Sequence, residues 1–106
     1  MAHGEITVGE LLALGDSARV IDVREPDEWA DGHIPWAIHV PLGTVPDQLD
    51  RFDGSPTYVV CRSGGRSGRA CAFAADQGLE TTNVVGGMLA WAEAGFPIER
   101  NDDTDG

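Results

Sequence analysis

Val59-Val60-Cys61-Arg62-Ser63-Gly64-Gly65-Arg66-Ser67 decides how the rest of the chain is read. A β-branched run breaks there into a glycine-containing loop that opens a helix, and a cysteine stands at the break. Gly64 and Gly65 free the backbone to curl, so that successive N–H groups converge on one point, as in an anion-binding nest. The helix after Ser67 aims its positive end at the same point. From Gly54 to Ala75 there is no acid, while Arg62, Arg66 and Arg69 place positive charge inside a chain of net charge −11. An isolated cationic pocket in an acidic molecule attracts small anions, and a thiol within it ionises more readily than a free cysteine. Cys61 is therefore the candidate nucleophile. A structural cysteine at a strand end is the competing interpretation, and the glycines and arginines weigh against it.

At 106 residues the chain makes one domain, assigned here to residues 1–100, with 101–106 as a disordered acidic tail. It has no basic face for nucleic acid. All seven basic residues are arginine, so neither a Schiff-base lysine nor the lysine of a nucleotide-binding loop is available. No secretory signal and no run of ~18 apolar residues is read, so no membrane association is expected. Cys61 and Cys71 lack C-x-x-C spacing, which suggests a reducing, cytoplasmic setting. His33 and His39 read as satisfied polar groups, since neither acid–histidine–nucleophile order nor ligand spacing can be traced. No metal and no cofactor is called for.

Along the chain, Thr7-Val8-Gly9-Glu10 predicts a capping box opening a short helix that Gly15 ends. Arg19–Val23 reads as a strand buried on both faces, with Asp22 and Arg24 near its carboxyl end. Pro26 begins a helical turn stopped by Gly32, in which Arg24 and Glu28, four apart, are expected to pair. Residues 37–40 form a second strand, and Val45, Leu49 and Phe52 share one face of a short amphipathic helix over 45–52. Thr57–Val60 is the third strand and delivers Cys61 at its carboxyl end, where open α/β sheets place ligands. Ala70–Ala75 belongs to a buried helix ended by Gly78, with Cys71 as a core residue. Thr81–Val85 is the fourth strand, and Trp91 anchors the last helix. Strands alternating with short helices give an α/β domain with a mainly parallel sheet covered by helices on both faces.

Cys61-Arg62-Ser63-Gly64-Gly65-Arg66 resembles the active-site loop of the rhodanese family, whose pattern is Cys, two variable residues, Gly, one variable residue, then Arg. Asp22-Val23-Arg24, Glu28-Trp29 and Gly32-His33-Ile34-Pro35-x-Ala37 resemble its upstream signature, and Gly86-Gly87-Met88-x-x-Trp91 with Gly95-x-Pro97 its closing one. The match runs from about Val20 to Pro97. Trp36 departs from it, standing where the family usually has glycine; it either presents its ring near the pocket mouth or covers the core. The resemblance implies a rhodanese fold and a sulfurtransferase. Cys61 would attack the sulfane sulfur of a small anionic donor such as thiosulfate and become a persulfide, then pass the sulfur to cyanide, a thiol or an acceptor protein. Backbone N–H groups from Arg62 through Ser63, Gly64, Gly65 and Arg66 to Ser67 would hold the outer sulfur, with the Arg62 and Arg66 side chains guiding the donor. Two alternatives stay open. Phosphatases and arsenate reductases of related fold separate cysteine and arginine by one residue more than the four found here. A non-turnover carrier or sensor module would show the same loop.

Overall fold

The computed structural model describes residues 4–54 and 56–100. The tail expected over 101–106 lies outside them. Five strands, β1 (Gly4–Ile6), β2 (Arg19–Asp22), β3 (Ile38–His39), β4 (Thr57–Val60) and β5 (Thr82–Val84), form one parallel sheet in the order β1-β5-β4-β2-β3. The helices are α1 (Val8–Leu14), α2 (Pro26–Asp31), α3 (Gly65–Asp76) and α4 (Gly87–Glu93).

Side chains alternate across a strand, so the apolar pairs of the sequence divide between two cores. Ile21 and Val59 pack with Val45, Phe52, Ala70 and Cys71 beneath α3. Val20, Val60 and Val84 pack with Leu11, Met88 and Trp91 beneath α1 and α4. All four sheet-centre residues, Val20, Ile21, Val59 and Val60, are fully buried, which is why β2 and β4 read as continuous apolar runs. Cys61 follows β4, the central strand, at its carboxyl end.

Local signals act as expected at α1: the Thr7 side chain accepts from the Glu10 N–H at 3.1 Å and the Glu10 carboxylate from the Thr7 N–H at 2.9 Å. Two departures are instructive. The helix expected over 45–52 is two 3-10 segments, Leu42–Asp47 and Leu49–Phe52, because Pro46 removes a donor and Gln48 leaves helical φ/ψ. Val45 and Phe52 still reach the core. The edge strand β1 is absent from the sequence reading, being three residues long with two of them exposed.

Trp36 covers the core. No described non-glycine residue has positive φ, so tryptophan is accommodated without backbone strain. Its ring meets Trp91 edge-on with centroids 6.1 Å apart. Its indole N–H is buried without a partner.

Candidate functional site

Gly64 makes the turn from Cys61 into α3, with φ at +112°, a region that L side chains rarely enter. The helix therefore begins at Gly65, earlier than expected, and Ser67 lies in its first turn. That curl carries the Gly64 N–H to 3.1 Å from Cys61 Sγ, while the Ser67 hydroxyl lies 3.3 Å from the same atom. The Cys61 side chain is buried at the floor of this loop. Burial pushes its thiol up, but the Ser67 hydroxyl and the backbone N–H groups of Ser67, Gly64 and Ser63 outweigh it and leave Cys61 below the ordinary thiol value. Cys71, from the middle of the same helix, is pushed up by burial and remains a core residue.

The loop is held from behind by α4. Its amides from Met88 and Leu89 donate to the carbonyls of Cys61 and Arg62 at 2.8 and 3.0 Å. Gly87 permits this approach, because a Cβ there would stand 2.4 Å from the Cys61 carbonyl oxygen, and its φ is +56°. The Met88 and Leu89 amides thus fix the carbonyls of Cys61 and Arg62, leaving the following N–H groups free to face the sulfur. Asn83 on β5 completes the support, donating to the Gly64 carbonyl at 3.2 Å and accepting from the Ser67 hydroxyl at 2.5 Å. The sequence reading passed over Asn83, which follows two threonines in a Thr-Thr-Asn-Val-Val run and carries no distinguishing signal of its own.

The charged residues pair differently from the expectation. Arg24 does not reach Glu28. It bonds Asp22 at 2.8 Å and the Gly32 carbonyl at 2.7 Å, a buried pair joining the end of β2 to the turn after α2. Two residues apart across a strand end, Asp22 lies closer than a side chain one helical turn away. Glu28 instead grips Arg66 through both carboxylate oxygens, at 2.7 and 2.8 Å. Arg66 holds the Glu28 carboxyl down to about 2, against a smaller upward push from burial. Glu28 in return raises Arg66 further above its ordinary value. Arg62 is exposed on the outer side of the loop. It lines a cleft of about 310 Å³ together with Arg100, Asp31, Met88, Leu89 and Ile98, among others. Arg100 was not among the residues singled out from sequence.

Ser63 and Gly65 lie in the same turn, both exposed. His33 and His39 both stack on the Trp29 ring, at centroid distances of 3.6 and 4.7 Å. Each bonds a backbone carbonyl, of Trp29 and Arg24 respectively, as satisfied polar groups do. No helix among the described residues is long and apolar enough to cross a membrane.

The rhodanese-like domain model matches residues 7–94 of this chain. YtwF of Bacillus subtilis is 42% identical over 83 residues, covering 77% of this chain and 81% of that one. A sulfurtransferase of Allochromatium vinosum is 36% identical over 94 residues, covering 87% and 88%. Among solved structures, a rhodanese-related protein from Thermoplasma volcanium superposes with a TM-score of 0.85 at 30% identity, covering 92% of this chain and 98% of that one. With the sheet order, the cysteine loop at the end of the central strand and these likenesses in agreement, the chain belongs to the rhodanese-like domain family.

Proposed function

We propose that the chain is a sulfurtransferase that takes the sulfane sulfur of an anionic donor such as thiosulfate and passes it to a thiol or cyanide through a Cys61 persulfide. The observation that carries this is the convergence of the Gly64 N–H and the Ser67 O–H on Cys61 Sγ, in a loop without acids. In the first step the Cys61 thiolate attacks the outer sulfur of thiosulfate. The sulfur–sulfur bond breaks, and sulfite leaves with the electron pair. In the second, the acceptor attacks the outer sulfur and the Cys61 thiolate is regenerated, which gives ping-pong kinetics. Sulfite is a stable anion, so the chemistry requires no general acid.

Arg62, with Arg100 lining the same cleft, supplies the charge that draws a dianion toward the loop. Arg66 acts differently, as a structural cation whose planar fork is already occupied by Glu28. The same occupation disfavours phosphate or arsenate chemistry, which needs a guanidinium free to clamp a tetrahedral oxyanion. A thiolate nucleophile must stay reduced, which suits a cytoplasmic setting.

Intact mass spectrometry after thiosulfate treatment tests the proposal. A gain of one sulfur, removed again by cyanide and missing in Cys61→Ala, is the expected result. Phosphatase turnover that depends on Cys61 would overturn it. Sulfur accepted only from a partner, with negligible thiosulfate–cyanide turnover, would reassign the chain as a carrier.

A further inference from the structure

The Ser67 hydroxyl carries one proton and has two acceptors within reach, Asn83 Oδ1 at 2.5 Å and Cys61 Sγ at 3.3 Å. The Asn83 amide is oriented by its other end, since its Nδ2 donates to the Gly64 carbonyl and Oδ1 is thereby turned to Ser67. Ser67, Asn83 and Cys61 are all buried, at 0%, 7% and 1% exposure, so the exchange is confined to these groups.

We propose that Asn83 is a positioning residue that shares the Ser67 proton with Cys61: the hydroxyl donates to Asn83 Oδ1 while Cys61 is a thiol and turns to Sγ when Cys61 ionises. The inference rests on Cys61 being the reacting group. On ionisation the thiol proton leaves to solvent, and the hydroxyl O–H bond stays intact; only its acceptor changes. The carboxamide oxygen is the nearer acceptor, but a thiolate carries full charge and is the stronger one. Ser67 therefore stabilises the thiolate only by the difference between the two bonds. Asn83 acts in two opposed senses. It withholds the Ser67 proton, and it steadies Gly64, whose N–H reaches the sulfur. When charge moves to the outer sulfur of a persulfide, the hydroxyl returns to Asn83.

The other charged or titratable groups around Cys61 are Arg66 and Cys71 from α3, Glu28 of α2 bound to Arg66, the neighbouring Arg62, and the Asp22–Arg24 pair at the end of β2. None of them touches the Ser67–Asn83 bond, and pairing substitutions at 83 with Ser67→Ala separates that bond from the support Asn83 gives Gly64.

The test is the pH profile of Cys61 alkylation by iodoacetamide, located by peptide mass, in Asn83→Leu and Asn83→Asp with and without Ser67→Ala. Asn83→Leu removes the competing acceptor at similar volume. Its midpoint should fall by about half a unit, giving roughly threefold faster alkylation below it. In the Ser67→Ala background that fall should disappear, leaving at most the small rise from a less supported Gly64, the signature of a coupled pair. Asn83→Asp strengthens the competing acceptor and adds like charge, so its midpoint should rise by about one unit, a tenfold slowing below it. The rise should shrink when Ser67 is alanine. A raised or unchanged midpoint in Asn83→Leu, or the same fall without the hydroxyl, overturns the proposal and leaves Asn83 a loop support only. If Asn83→Leu does not fold, equal rises in Asn83→Asp with and without Ser67 overturn it instead. Sulfur loading is read separately by intact mass. Its absence in the unaltered protein sinks the function proposed above, while the alkylation profiles still decide how the proton is shared.

Discussion

At Cys61 two effects of opposite sign meet, and the hydrogen bonds win over burial. Its reactivity therefore depends on the shape of the loop more than on the arginines that mark it in the sequence. Cys61→Ala should abolish sulfur loading and leave thermal unfolding cooperative. Cys71→Ala should retain most transfer activity and lose about 1 kcal/mol of stability, from a small cavity beneath α3. Equal activity losses in a thiosulfate–cyanide assay would contradict that division. Glu28 offers a pH test. Its carboxyl is held at about 2 in the folded protein by Arg66. A lowered carboxyl adds stability that is complete above the unfolded value and fades as pH falls through the folded one. The pair is about one-quarter exposed, so Glu28→Gln should cost about 0.5–1 kcal/mol near neutrality. In urea titrations the two proteins should converge as pH falls from about 4.5 toward 2.

Among the elements, α4 braces the site while supplying none of the groups that touch the sulfur. Gly87→Ala would drive a methyl group into the Cys61 carbonyl at a positive φ, so it should cost at least about 2 kcal/mol and most of the sulfur-transfer rate. Thermal unfolding and the thiosulfate–cyanide assay, run on the same sample, check both halves. Much of this architecture is legible in the sequence because local signals and burial agree. Val20-Ile21 and Val59-Val60 announce strands covered on both faces, and Thr7 with Glu10 announces α1. Pro46 would fall in the first turn of a helix over 45–52, where proline is tolerated, and the spacing of Val45, Leu49 and Phe52 suits a helix, so the two tighter turns stay concealed. The partners of Arg24 and Glu28 were not legible, because both choices depend on how β2, α2 and α3 come together. The same holds for Asn83 and Arg100, which approach the loop through the fold and not through the chain.

For the whole molecule the governing quantity is a net charge of −11 on 106 residues. Such self-repulsion weakens the compact state, and salt screens it. Raising ionic strength at neutral pH should therefore recover on the order of 1 kcal/mol and lift Tm by roughly 4 °C. A Tm that falls with salt would show that partly exposed ion pairs such as Glu28–Arg66 outweigh the excess charge. Three of the four donors that lower the Cys61 thiol are main-chain amides, shared by every residue type but proline. Side-chain replacement along the loop can thus retune the donor it attracts while the sulfur's own surroundings persist, leaving selectivity free to drift over an unchanged reactive core.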